Sequence, residues 1–272
     1  MKIFCILGDE RSFRSKSPVV FTSVLKRVGI RGVYVPFKVD PGQIGPALQS
    51  LRVLNIDGAN ITVPYKEAAI PHLDILSEGA NIIGAVNTVV RNGNTLKGYN
   101  TNAIGFMDTL EEVGFDVPGK TAVVFGTGGI AKAVVFILNW LRAESIWVVG
   151  RNENSLAKIV NTIGGTAVTI EAISDRPITT DILINATSIS IPDESPELAS
   201  CIDKLTIRDC EMIVDVNYDR PVNFWEAKAK HESIRFLDGK RILAHQARRS
   251  FALWTRMDVD AGEFLKAMDE EL

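Results

Sequence analysis

The stretch Thr121-Ala122-Val123-Val124-Phe125-Gly126-Thr127-Gly128-Gly129-Ile130-Ala131 decides how this chain folds. Strand-like residues run into G-x-G-x-x-A, and the apolar spacing of 130–141 predicts a helix directly after it. Each small position has a chemical reason. Gly126 permits the tight turn, Gly128 lets backbone approach a pyrophosphate, and Ala131 allows close helix–strand packing. The anion then sits on free N–H groups at the positive end of the helix. A glycine turn alone also fits an ordinary βα connection. The strand before and the helix after favour a dinucleotide site on Gly126, Thr127, Gly128, Gly129, Ile130 and Ala131.

The next strand, 145–149, ends at Gly150-Arg151. An NAD site places an acid near this point to hold the ribose hydroxyls, but here Arg151 precedes the first acid, Glu153. A guanidinium suits a 2′-phosphate through paired N–H donors, so NADP(H) is expected over NAD(H). Strand-like runs at 181–184 and 212–216 continue the pattern. Upstream, strands at 3–7, 32–39 and 58–63 alternate with helices at 18–28 and 44–53, which implies parallel βαβ units. Pro64 is expected to open a helix through Glu67 and Ala68. Val86, Val89 and Val90, followed by Arg91-Asn92-Gly93-Asn94, suggest a hairpin around Asn92-Gly93. A helix at 104–113 closes on Gly114, and Pro118-Gly119-Lys120 reads as a domain entrance. The last predicted helix, 242–257, puts Leu243, Ala247, Ser250 and Trp254 on one face.

At 272 residues the chain is comfortable as two domains. Its net charge of -3, with acidic and basic residues interspersed, argues against a nucleic-acid partner. The apolar run 131–141 is too short to span a bilayer, so no membrane partner is expected. Cys5, Cys201 and Cys210 match no metal spacing, and His72, His231 and His245 form no ligand cluster. No metal is expected, and a reducing, cytoplasmic setting fits best.

The segments Ser15–Pro18, Asn60–Lys66, Gly84–Thr88, Gly98–Asn102, Asn185–Ser188, Asp238–Gly239 and Gln246–Ala247, in that order over nearly the whole chain, together resemble the shikimate dehydrogenase family. Ser15-Lys16-Ser17-Pro18 resembles its paired serines, and Asn60-Ile61-Thr62-Val63-Pro64-Tyr65-Lys66 its N-V-T-x-P-x-K segment. Gly84-Ala85-Val86-Asn87-Thr88 matches G-A-V-N-T, and Gly98-Tyr99-Asn100-Thr101-Asn102 is similar to G-x-N-T-D. Asn185-Ala186-Thr187-Ser188, Asp238-Gly239 and Gln246-Ala247 follow. The resemblance implies a two-domain α/β fold. Residues 1–101 plus 242–272 would form a substrate domain and 102–241 a Rossmann-type NADP domain, with the active site in the cleft where they meet. The implied activity is NADP-dependent interconversion of shikimate and 3-dehydroshikimate in aromatic amino acid biosynthesis, by a monomer or homodimer.

Residue by residue, the resemblance implies that Ser15 and Ser17 bind the substrate carboxylate, with Tyr218 near it. Asn60, Thr62, Asn87, Asn102 and Gln246 would bind ring hydroxyls. Thr187, Ser188, Val216 and Gly239 would surround the nicotinamide. Lys66 would exchange the hydroxyl proton. A position in the first helical turn after Pro64 would disfavour its ammonium through the helix dipole. Each residue also has a plainer reading. Lys66 fits a solvated lysine beside Glu67, and the serines fit helix caps before Pro18. Asn60 and Asn87 fit turns, Tyr218 fits a core or surface aromatic, and Thr101 and Asn102 fit helix caps.

Some positions depart from the family pattern. Asn102 stands where it has an aspartate, and an amide neither carries charge nor accepts a proton as a base. Loss of that carboxylate is expected to lower the pKa of Lys66 further. Arg14, Thr22 and Gly150 also differ, and Ser190-Ile191 is expected to add side-chain bulk where cofactor and substrate meet. Two rival readings therefore stay open: a paralogue acting on quinate or another cyclic polyol acid, and a catalytically impaired protein that binds NADP(H) or a related metabolite.

Overall fold

The computed structural model describes residues 1–174 and 177–270. In chain order its elements begin β1 (Lys2–Gly8), α1 (Ser17–Arg27), β2 (Gly32–Lys38), α2 (Ile44–Val53), β3 (Gly58–Ile61), β4 (Ile75–Leu76) and α3 (Glu78–Ile83). They continue with β5 (Thr88–Asn92), β6 (Thr95–Tyr99), α4 (Thr101–Glu112), β7 (Thr121–Phe125), α5 (Gly129–Trp140), β8 (Ser145–Gly150) and α6 (Glu153–Ile163). Then come β9 (Thr166–Thr169), α7 (Ile170–Ser174), β10 (Ile178–Thr179), β11 (Ile182–Asn185), α8 (Pro196–Lys204) and β12 (Ile207–Arg208). The last are β13 (Met212–Asp215), α9 (Phe224–His231), β14 (Arg235–Leu237), α10 (Gly239–Thr255) and α11 (Ala261–Asp269). Two compact units result: Met1–Gly105 with Leu243–Leu272, and Phe106–Ile242. The chain passes between them within α4 and α10.

The first unit holds a mixed sheet in the order β2-β1-β3-β5-β6-β4. Strands β1, β2 and β3 are parallel, as the alternating pattern predicts, and β5 runs antiparallel to both β3 and β6. The β5–β6 connection is the hairpin expected around Asn92-Gly93. Asn92 pairs with Thr95, and Gly93 takes the first turn position at φ 59°. A positive φ suits glycine there. One face of the sheet packs on an aromatic core in which Phe4 stacks on Trp254 at 4.8 Å and Phe21 on Tyr34 at 4.7 Å. Trp254 donates its indole N–H to the Val89 carbonyl (3.0 Å). It packs so close to β3 that a Cβ on Gly58 would fall 2.2 Å from its ring. This anchors α10 against the sheet.

The second unit is an all-parallel sheet in the order β14-β13-β11-β7-β8-β9. The order reverses between β7 and β11, the point at which a doubly wound sheet opens a crevice beyond its strand ends. Helix α5 buries Ala131, Ala133, Val134, Val135, Ile137 and Leu138, as a nearly all-apolar helix must. Sequence periodicity missed the amphipathic helices α6, α8, α9 and α11. Their polar residues outnumber a short apolar stripe such as Leu156 and Ile159 in α6. Among the described residues no helix is long and apolar enough to cross a membrane.

Candidate active site

The helix expected after Pro64 does not form. The Lys66 carbonyl, which a helix would bond to residue 70, instead accepts the Val86 N–H (2.8 Å), and Ile70 N–H turns back to Glu67 (3.1 Å). A tertiary bond has displaced the helical one, leaving turns and a short 3-10 segment at Ile70–His72. Tyr65 secures the turn by donating its hydroxyl to the Val39 carbonyl (2.7 Å). The dipole argument for Lys66 is thereby corrected. The cause is desolvation: the side chain is half-buried, and the surrounding protein pushes the amine down to about 8.

Val86, whose N–H holds the Lys66 carbonyl, leads directly into Asn87 and a buried polar network. The Thr101 backbone N–H donates to Asn87 Oδ1 (2.6 Å). A backbone amide can only donate, so this bond identifies the oxygen end of the Asn87 side chain. Asn87 Nδ2 then faces Thr101 Oγ1 (2.8 Å), Asn102 Oδ1 (3.2 Å) and Gln246 Oε1 (3.2 Å). Asn60 Nδ2 donates to the Asn87 carbonyl and to Thr88 Oγ1 (both 3.1 Å). Ser250 closes the ring, 2.9 Å from Thr88 and 3.0 Å from Thr101. All these side chains are buried. Gln246 is held in place because a Cβ on Gly105 of α4 would lie 2.6 Å from its backbone nitrogen.

Neither Thr101 nor Asn102 caps α4. Asn100 does, accepting the Ala103 N–H on Oδ1 (3.1 Å) and donating to the Ala85 carbonyl (3.0 Å). Asn102 is thus released from a capping role. At the start of α1, Ser15 Oγ accepts the Ser17 N–H (3.2 Å). Ser17 bonds the Tyr34 hydroxyl, which donates to Asn60 Oδ1 (2.7 Å). Burial pushes the Tyr34 phenol well above its ordinary value. The N-cap of α1 is Lys16, with no side-chain cap bond, so neither serine is the cap: Ser15 holds the first helical N–H from outside that position, and Ser17 joins the polar network through Tyr34. Thr62 is half-buried, with its methyl against Gly8 and its N–H on the Leu7 carbonyl (3.0 Å).

In the second unit Gly126 has φ 122°, and a Cβ there would meet the Ala186 carbonyl oxygen at 2.7 Å. Only glycine fits this turn. A Cβ on Gly128 would meet nothing within 4 Å, so that glycine leaves open space rather than serving protein packing. Gly128 is also the N-cap of α5, and no side chain caps the helix. Arg151 is exposed after β8, with no hydrogen bond or ion pair among the described residues. Open room, uncapped N–H groups and an uncommitted guanidinium fit a pyrophosphate and a further phosphate.

Beyond β11 and β13, the carboxylate of Asp215 is fully buried and accepts from Asn185 (2.8 Å), Asn217 (2.9 Å) and Asn223 (2.7 Å). This ties the loops carrying Thr187, Ser188 and Val216. Thr187 uses its hydroxyl within the loop, donating to Asn185 Oδ1 (2.7 Å), while Ser188 is exposed. A Cβ on Gly239 would lie 2.2 Å from the Val216 carbonyl oxygen, so these two expected residues do meet. Tyr218 is half-buried in the same loop. Ser190 turns inward: its side chain is fully buried and accepts from Asn217 Nδ2 (2.9 Å), so it braces the loop.

The sequence matches the profile described as shikimate dehydrogenase substrate binding domain over residues 7–89, and that of shikimate / quinate 5-dehydrogenase over residues 109–238. A relative named shikimate dehydrogenase (NADP(+)), from Caldanaerobacter subterraneus subsp. tengcongensis, is 34% identical over 261 residues, covering 93% of this chain and 91% of the relative. The chain belongs to the shikimate dehydrogenase family. The shikimate dehydrogenase (NADP(+)) of Pyrococcus furiosus is likewise 34% identical, covering 95% and 92%. Shikimate dehydrogenase from Aquifex aeolicus superposes with TM-score 0.88 at 29% identity, over 98% and 97% of the two chains. The Thermus thermophilus enzyme, solved in complex with NADP(H) and shikimate, superposes with TM-score 0.87 at 31% identity over the full length of both.

The family motifs contain most of the residues of this buried network, but not all of them. Thr88 and Ser250 are integral to the network and were not singled out. Thr88 sits in a valine-rich strand and Ser250 on the apolar face of α10, where small hydroxyls pass as core residues. Tyr34 was hidden in the same way within β2. Among the described residues there is no group of three or more side chains able to hold a metal.

Proposed function

We propose that this protein is an NADP-dependent oxidoreductase that interconverts shikimate and 3-dehydroshikimate. The observation that carries this is a lysine with a destabilised ammonium, tied by its backbone to Val86, next to Asn87 and its buried amide–hydroxyl network. Bound nicotinamide supplies or accepts the hydride. Lys66 as neutral amine takes the hydroxyl proton during oxidation, and as ammonium returns it during reduction. Asn60, Asn87, Asn102 and Gln246 present pre-oriented polar groups to the ring oxygens, so little reorganisation accompanies binding. Ser15 and Ser17 are the donors assigned to the carboxylate, with Tyr218 near it. Uncapped N–H groups of α5 hold the pyrophosphate, Arg151 takes the 2′-phosphate, and Thr187, Ser188, Val216 and Gly239 border the nicotinamide. The NADP(+) names of the relatives and the NADP(H)–shikimate complex of the Thermus enzyme support this assignment. The proposed setting is the cytoplasm, as a monomer or homodimer, with residues 1–101 plus 242–272 binding substrate and 102–241 binding cofactor.

The test is reduction of NADP+ with shikimate, followed by the absorbance of the reduced nicotinamide, with quinate and NAD+ as comparisons. Turnover of shikimate with NADP+ is the expected result. Turnover of quinate alone would replace the substrate, and binding without turnover would leave a metabolite-binding protein.

A further inference from the structure

The polar network assigns the direction of each amide in it. The Thr101 N–H fixes the oxygen of Asn87, so Asn87 Nδ2 turns its two hydrogens toward the oxygens of Thr101, Asn102 and Gln246, and Asn102 presents Oδ1 to it at 3.2 Å. Flipping Asn102 would set two N–H2 groups against each other. Its own Nδ2 must then point away from Asn87, where it is buried and meets no hydrogen-bond partner. A buried donor without an acceptor is costly in the free protein and is relieved by a ligand oxygen. Lys66 and Asn102 both attach to the same short segment, Lys66 through the Val86 N–H and Asn102 through the Asn87 amide. On the functional reading above, which puts Lys66 and Asn102 at the same substrate, the free donor of Asn102 is directed at the oxygen that exchanges its proton with Lys66.

We propose that Asn102 Nδ2 donates a hydrogen bond to the oxygen on the reacting carbon, and that this donor tunes the site toward the ketone form of the substrate. The inference rests on the functional reading above. A carbonyl oxygen only accepts, so it pairs with an amide N–H2 and is repelled by a carboxylate. A hydroxyl both donates and accepts, and a carboxylate there would favour it instead. In reduction, hydride delivery to the carbonyl carbon breaks the C=O π bond. That electron pair moves onto oxygen, which takes its proton from the Lys66 ammonium, and the nicotinamide leaves oxidised. Asn102 keeps both its hydrogens and stabilises the negative charge that develops on the oxygen.

The experiment compares dissociation constants for 3-dehydroshikimate and shikimate by titration calorimetry, at neutral pH and without cofactor, in the wild type, Asn102→Asp and Asn102→Ala. The aspartate keeps an oxygen facing Asn87 and changes only the outward group, so the fold is preserved. Asn102→Asp is expected to weaken the ketone relative to the alcohol by about tenfold or more, and Asn102→Ala by less, since it removes the donor without adding charge. A merely structural role would weaken both ligands together. An unchanged ketone-to-alcohol ratio in both variants overturns the inference while leaving the functional reading intact. If the aspartate variant does not fold, the ratio in Asn102→Ala decides. If neither ligand binds the folded wild type, the shikimate reading fails and the inference with it.

Discussion

Replacing Lys66 with methionine should abolish turnover and stabilise the fold at the same time. Burial takes the amine from the ordinary 10.5 to about 8. At about 1.36 kcal/mol per pH unit, that gap corresponds to about 3 kcal/mol. The sign follows from proton counts. Below the folded-state value near 8, folded and unfolded chains both hold the proton, and the folded state carries the whole cost of a buried ammonium. Between about 8 and 10.5 the unfolded chain binds more protons, so stability rises with pH, and beyond 10.5 the cost is gone. Methionine follows the lysine stem to Cε, carries no charge and adapts to irregular gaps. Lys66→Met should therefore raise the unfolding free energy by about 2–3 kcal/mol at neutral pH, allowing for the surface Lys66 retains. The gain should shrink as pH rises through the window from about 8 to 10.5. Urea denaturation at a series of pH values measures it, with the slope m held constant as the check on two-state behaviour. A variant no more stable than wild type at neutral pH, or one whose gain persists in alkali, would refute burial as the cause. The same burial leaves about one amine in ten neutral at about pH 7, against about one in three thousand for an ordinary lysine. The oxidation rate of the wild type should accordingly climb with pH and level off above about 8.

The two glycines of the cofactor turn should separate folding from binding. Gly126→Ala must force a Cβ against the Ala186 carbonyl at positive φ, and is expected to lower the thermal midpoint as well as NADPH affinity. Gly128→Ala meets no protein atom, so its melting curve should match wild type while NADPH binding, followed by fluorescence titration, falls about tenfold or more. Equal melting losses in both would contradict the assignment of Gly128 to the ligand. Arg151→Ala removes the guanidinium assigned to the 2′-phosphate and should cost about 1.5–3 kcal/mol of NADPH binding, roughly tenfold to a hundredfold. The NADH constant should stay the same, and a parallel loss for both cofactors would remove Arg151 from that role.

Much of this protein was legible in one dimension because the chemistry concerned is local. A glycine between a strand and a helix reports the turn it must make, whatever surrounds it. Gly126 and Gly128 accordingly sit where the motif placed them, at the reversal of the parallel sheet. The hairpin at Asn92–Thr95 and the alternation of β1 to β3 with α1 and α2 were visible for the same reason. The tertiary structure decided whatever depended on partners distant in sequence. Pro64 is a good first residue of a helix, yet the Val86 N–H takes the Lys66 carbonyl and prevents one, so burial and not a helix dipole depresses the lysine. Ser190 has its hydroxyl drawn inward by Asn217, 27 residues away, a partner no local pattern announces. Asn102 shows the limit most plainly. Its identity is written in the sequence, but the outward direction of its N–H2 is set by Asn87 and, through it, by the backbone of Thr101. A side-chain amide has two nearly identical ends, and only the neighbours assembled by folding determine which one is left without a partner.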